Sequence, residues 1–108
     1  MTRYRVIITP HAERDIEEAY LWIAARDADA AARWFNRLLE VVATLETFPE
    51  RCPRAPESAQ LRMEIRQILH GRRQHKYRVL FNVCGKIVNV LHVRHGARLP
   101  IGEPPQED

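Results

Sequence analysis

The fold is decided by residues 77–98, which read YRVLFNV (77–83), CGK (84–86) and IVNVLHVRHGAR (87–98). Two β-branched and aromatic runs joined by a short glycine-containing turn predict a β-hairpin. Side chains alternate along a strand, so one set of the first strand should face the core. That set is Tyr77, Val79, Phe81 and Val83. Arg78 then lies on the opposite face, where arginine in a basic protein suggests a groove for an anion.

The residues before the hairpin predict one strand and two helices. A β-branched run between Arg3 and Thr9 predicts the first strand. Thr9 followed by proline predicts a helix start, and the apolar spacing continues to about Arg26. A second helix is expected from about Asp29 to Phe48. Its wide apolar stripe should cover a sheet.

A proline-rich segment and a further strand complete the pattern. Prolines at 49, 53 and 56 predict a surface loop to about Gln60, and residues 61–69 alternate like a strand. The order is β-α-α-β-β-β. It predicts an α+β fold in which a helical hairpin packs on one face of a mainly antiparallel four-stranded sheet. Residues 1–98 should form a single domain, and residues 99–108, with three prolines and three acids, a disordered tail.

Composition restricts the function classes only loosely. The chain has 108 residues, a formal net charge of +3 and a pI of about 9.2, which suits an acidic partner or a nucleic acid without proving either. Cys52 and Cys84 are distant in sequence and predict no disulfide framework. The absence of a signal-like or membrane-spanning apolar run leads us to expect a cytoplasmic protein with no membrane partner.

Several basic residues are candidates for binding phosphate or an acidic partner. Arg66 should share the helix-free face with Arg78 if Met63, Ile65 and Leu69 face the helices. Cations that converge on one face repel each other unless an anion binds between them, so their convergence suggests an anionic partner. Each can also be an ordinary solvated residue. The candidates are Arg66, Arg72, Arg73, Lys76, Arg78, His92 and Arg94.

Acid–base chemistry would need a titratable group near these cations. His95 is the first candidate for proton transfer, and Glu64 is the second, although such a glutamate more often pairs with an arginine such as Arg66. The five histidines show no zinc-type spacing with cysteine, so no metal site is expected. The sequence has no phosphate-binding glycine-rich loop and no nucleophile elbow, and it indicates no cofactor.

The chain resembles the RelE/ParE superfamily of toxins from type II toxin-antitoxin modules, also described as plasmid stabilisation proteins. The resemblance extends from about Tyr4 to Arg98. It rests on an ordered set of segments rather than on one exclusive motif. The main segments are YRVIITPHA (4–12), LETFPE (45–50), YRVLF (77–81) and VRHGAR (93–98).

The resemblance implies a toxin with one of two targets. RelE-like members are ribosome-dependent endoribonucleases that cut mRNA, and ParE-like members inhibit DNA gyrase. Two features are more ParE-like: the helix end Phe48-Pro49-Glu50 and the spacing of His95 and Arg98. We therefore expect a gyrase inhibitor rather than an enzyme. In the alternative, a metal-independent ribonuclease, Arg78 and Arg98 would bind the phosphate. His95 or Glu64 would then transfer the proton.

The resemblance also implies a partner, an acidic antitoxin that is disordered when free and wraps its toxin. We expect it across the helix-free sheet face, the helical hairpin, or both. On the helix-free face, apolar Ile68, Leu80 and Val90 are expected to be surrounded by cations. A small RNA-binding domain without toxic activity is the remaining alternative.

Overall fold

The computed structural model describes residues 2–71 and 76–96. Three helices and four strands follow in the order β-α-α-α-β-β-β, and two short 3₁₀ turns lie at Thr44–Glu46 and Pro49–Arg51. The elements are β1 (Arg5–Ile8), α1 (Pro10–Ala24), α2 (Ala28–Ala43), α3 (Glu57–Leu61), β2 (Arg66–His70), β3 (Tyr77–Cys84) and β4 (Ile87–His95). Apart from the five-residue helix α3, this is the predicted order.

The four strands form one sheet in the order β1-β4-β3-β2. β3 pairs antiparallel with both β2 and β4, whereas β1 pairs parallel with β4. The predicted α+β fold with a mainly antiparallel sheet is therefore confirmed, with one parallel pair that makes the sheet mixed. The hairpin turn places Gly85 at a φ of 60°, a conformation that glycine adopts without steric cost.

The two long helices pack on one face of the sheet. Thr9 caps α1, because its side-chain oxygen accepts from the Ala12 N–H, and Asp27 caps α2 in the same way through Ala30. The main core lies between these helices and the sheet. Its largest members include Ile16, Ile23, Trp34, Leu38, Leu45, Tyr77, Val79 and Phe81.

Helix α2 ends earlier than predicted, at Ala43 rather than near Phe48. The chain tightens into a 3₁₀ turn, and Phe48 takes a left-handed conformation with φ 46° directly before Pro49. Proline disfavours a right-handed helical conformation in the residue before it, so a helix could not continue past Phe48. Among the described residues, no helix has both the length and the apolar character needed to cross a membrane.

The sheet face opposite α1 and α2 is covered in part by residues 55–65. Ala55 and Ile65 pack there against Leu80 and Leu91 in a second small core. The prediction of a plain surface loop is wrong for this segment, because Glu57 and Ser58 are also buried. Burial is tolerated because polar groups find partners: the Ser58 hydroxyl bonds both the N–H and the carbonyl of Ile65.

The register of β2 differs from the expected one. Arg66 is opposite Phe81 and Ile68 is opposite Val79, so both residues lie on the face that carries the helices. Val90 is buried in the main core as well. The expectation that Arg66, Ile68 and Val90 share the helix-free face is therefore wrong. A bulge shifts the β3–β4 register between Leu80 and Phe81, and it explains why Val90 faces the main core although His92, two positions later, is opposite Leu80.

Candidate functional site

Arg78 lies on the helix-free face, as predicted, but its guanidinium is not open to solvent. Only 8% of the residue is exposed. Nη2 donates to Oε2 of Glu57 at 2.6 Å, and Nη1 donates to Oε1 at 3.1 Å. Nη1 also donates to Oε1 of Gln67 at 3.0 Å. The bidentate fork that could hold a phosphate holds a protein carboxylate instead.

Glu57 is the residue of this site that the sequence analysis missed. It is fully buried at the start of α3, and its contact with Arg78 ties α3 to β3. A guanidinium in an apolar strand does indicate that some carboxylate is needed. Nothing in the sequence identifies which one, because Glu57 follows Pro56 in a segment with the composition of a loop.

Arg94 and Lys76 lie near Arg78 in the hairpin. Arg94 is opposite Arg78 in the strand register and is half-buried, so the two arginines share one face as predicted. Lys76 is exposed just before β3, and its carbonyl accepts from the Gly96 N–H at 2.8 Å. Arg72, Arg73 and Arg98 lie outside the described residues, as do His75 and the predicted tail 99–108.

His95 lies on the other face of the sheet. It is opposite Tyr77, and the two rings meet edge to face with centroids 5.1 Å apart. Its pocket is also lined by Asp15, Glu18 and Trp22 of α1. The structure therefore separates His95 from Arg78 by the sheet itself, and it does not bring the two predicted catalytic residues together.

Arg66 and Glu64 pair with each other. The Arg66 Nη2 atom lies 2.8 Å from Oε1 of Glu64, and Nη1 donates to the carbonyl oxygens of Glu50 and Cys52. The structural interpretation of Glu64 as an arginine partner agrees with these contacts. Arg66 anchors the segment around residue 50 to the start of β2.

His92 lies beside two residues near the N-terminus of α1. Its ring meets the His11 ring edge to face at 4.5 Å, and its Nδ1 lies 3.8 Å from Oδ2 of Asp15. Oδ2 also accepts from the Val93 N–H at 3.0 Å, on the side of β4 that carries β1. The pKa of His92 is lowered below its ordinary value, mainly by burial and secondly by the nearby His11. Asp15 acts in the opposite direction. The four-residue spacing of His11 and Asp15 is the sequence signal for this cluster.

An apolar groove runs between α1 and α2. Two glutamates of α1, Glu13 and Glu17, also line this groove. Tyr20 and Phe35 meet edge to face at 6.1 Å, and Leu39 is 42% exposed. Such a surface can take up an apolar side of a partner segment. Its apolar lining residues are Ile8, Ile16, Tyr20, Phe35 and Leu39.

Comparison with known proteins places the chain in a family. The family model for the ParE toxin of the type II toxin-antitoxin system parDE matches residues 6–100. A solved structure from P. aeruginosa, described as a chromosomal ParDE toxin-antitoxin system, has a TM-score of 0.69 and 17% identity, and the match covers 88% of this chain and 98% of that one. No curated protein gave a significant match. The chain therefore belongs to the family of ParE toxins of type II toxin-antitoxin systems.

Proposed function

We propose that this ParE-family protein arrests growth by inhibiting DNA gyrase, without acting as an enzyme. The match to the ParE toxin family supports gyrase inhibition, and the buried pair of Arg78 with Glu57 argues against a ribonuclease, because it occupies the guanidinium that a ribonuclease would use. Gyrase supercoiling in the presence of purified toxin tests it. Supercoiling should fall as toxin is added, and unchanged supercoiling at a large excess of toxin would contradict the proposal.

The RelE-like alternative, ribosome-dependent cleavage of mRNA, has less support. Cleavage by 2′-hydroxyl attack needs cations on the phosphate close to a proton-transfer group. His95 instead lines a pocket with Asp15 and Glu18, whose negative charges repel phosphate. Toeprinting on translating ribosomes separates the two functions, because only the ribonuclease creates new mRNA ends in the ribosomal A site.

The proposed partner is an acidic antitoxin. Because residues 55–65 already cover part of the helix-free face, the groove between α1 and α2 is the better of the two surfaces expected from the sequence. A partner helix could bury its apolar side there while its acids lie away from Glu13 and Glu17 and pair with basic residues outside the groove. We assign the complex to the cytoplasm, where gyrase and ribosomes are found, and we assign the toxin domain to residues 1–98.

Substitution in the groove tests this docking surface. Leu39→Asp adds a charge among apolar residues and should weaken antitoxin binding by at least about tenfold, the equivalent of one lost apolar anchor. Leu21→Asp is the matched control, because Leu21 is 58% exposed on α1 and does not line the groove. Pull-down and calorimetry with the product of the neighbouring gene measure both variants. Equal binding of the two would exclude the groove.

A further inference from the structure

His11, Asp15 and His92 form a cluster that the proposed toxin activity does not use. His11 and Asp15 are one turn apart on α1, and His92 comes from β4. Each offers one ligand atom, and the three atoms lie within 4.8 Å of one another. Cysteine–histidine spacing predicted no metal site, but a set drawn from two distant segments has no such spacing.

The distances in the cluster fit a small divalent ion. His11 Nε2 lies 3.6 Å from Oδ1 of Asp15, and His92 Nδ1 lies 3.8 Å from Oδ2. Tetrahedral zinc with bonds of about 2.0–2.1 Å separates its ligand atoms by about 3.3–3.4 Å. Both pairs are too long for good hydrogen bonds. The three ligand atoms lie within 4.8 Å of one another, so the side chains would have to close together around an ion.

A second observation points to a missing partner at the same place. His92 Nδ1 is buried and has no hydrogen-bond partner among the described residues. A buried ring nitrogen without a partner is costly, and a metal ion would satisfy it. Asp15 is already oriented by the Val93 N–H on Oδ2, which leaves Oδ1 directed toward His11. A ligand carboxylate held by a backbone donor in this way is typical of metal sites.

We propose that His11, Asp15 and His92 bind a divalent transition-metal ion of the zinc type. Two imidazoles and one carboxylate suit zinc better than calcium or magnesium, which prefer oxygen ligands alone. Three protein ligands leave one position for water or for an outside ligand. The ion would join the start of α1 to the end of β4 and so stabilise the fold.

Calorimetric titration with ZnCl₂ tests the site. The protein should carry no histidine tag and should contain Cys84→Ser, because the exposed Cys84 thiol could bind zinc by itself. We expect one equivalent of Zn²⁺ to bind and the melting temperature to rise. Removal of a ligand by His11→Ala or by His92→Ala should weaken Zn²⁺ binding by at least about 10–100-fold. Loss of a residue that only hydrogen-bonds to a metal ligand already weakens binding by that factor.

Arg14→Ala is the control, because Arg14 is an exposed neighbour on α1 that provides no ligand. It should bind Zn²⁺ like the parent protein. Circular dichroism verifies that each variant is folded, and if His92→Ala is not, the exposed His11 decides the test by itself. No binding at a large excess of Zn²⁺, or parental affinity in a folded variant that lacks either histidine, would overturn the proposal. Visible absorption of bound Co²⁺ gives the coordination geometry independently, and an octahedral spectrum would contradict the tetrahedral site.

Discussion

At the scale of single residues, the pair of Arg78 and Glu57 shows how a residue suited to bind an anion can have a structural role. The sequence predicted the face of Arg78 correctly, because strand alternation is local. Its partner comes from a separate element across the sheet face, and such a contact has no local signal. Burying both charges costs desolvation energy, which the two charge-assisted hydrogen bonds offset only while both partners are present.

Single substitutions of this pair should be severe, and the double substitution much milder. Arg78→Met or Glu57→Met alone leaves a buried charge and should lower the free energy of unfolding by about 3–5 kcal/mol. Replacing both residues leaves an apolar contact and should restore much of that loss. Urea unfolding of the four proteins measures the cycle.

The exposed pair of Arg3 and Glu46 is the control for that cycle. Its side chains are 74% and 43% exposed, so Arg3→Met should change the free energy of unfolding by no more than about 1 kcal/mol. Additive losses in the double substitution at positions 57 and 78 would contradict the buried-pair account. If the cycle confirms the buried pair, an Arg78 variant that loses toxicity does so because the protein is less stable. Such a loss would then be no proof that Arg78 is catalytic.

At the scale of elements, periodicity predicted the start of α1 and the faces of β3, but it could not predict the faces of β2. Met63, Ile65 and Leu69 fall on one alternation and Ile68 alone on the other, so the pattern favours the register that the structure does not adopt. Pairing with β3 decides it, and this pairing puts Ile68 on the main core while Ile65 packs in the second one. The covering role of residues 55–65 was equally hidden, since prolines indicate a break in helix or strand and not exposure.

The cap of α1 also joins that helix to β4. The Thr9 hydroxyl accepts from the Ala12 N–H at 3.3 Å and donates to the Val90 carbonyl at 2.8 Å. Thr9→Ala removes both bonds and should lower the free energy of unfolding by about 1–2 kcal/mol. Thr9→Ser keeps the hydroxyl and should stay close to the parent in thermal and urea unfolding. Equal losses in the two variants would show that the methyl group, not the cap, is responsible.

The turn after α2 contains a strained residue. Phe48 has φ 46°, a conformation that costs a residue with a Cβ atom about 1–2 kcal/mol, although its side chain is 66% exposed. Phe48→Gly should therefore be more stable than Phe48→Ala by about 1 kcal/mol, because both lack the ring and only alanine keeps the strain. Chemical denaturation of the two variants measures this difference. A more stable alanine variant would contradict the strained conformation.

At the scale of the whole molecule, the sheet divides the candidate residues into two groups. Arg78 and Arg94 lie on one face, and His95 lies on the other with the helices. The superfamily could be predicted from the sequence because its segments follow one another in order along the chain. The arrangement of the site could not, since it depends on which residues of α1 and α3 reach the sheet, and these contacts span up to 81 positions in sequence, as between His11 and His92.

The most direct test of the proposed function is a gyrase reaction stopped with detergent and protease. A ParE-like inhibitor that traps gyrase on DNA leaves the plasmid cut, so linear DNA should accumulate in proportion to added toxin and disappear when the antitoxin is added first. His95→Ala should give the same amount of linear DNA as the parent, because no proton transfer by this residue is involved. Absence of linear DNA at a large toxin excess, together with new mRNA ends on translating ribosomes, would contradict gyrase inhibition and establish the ribonuclease.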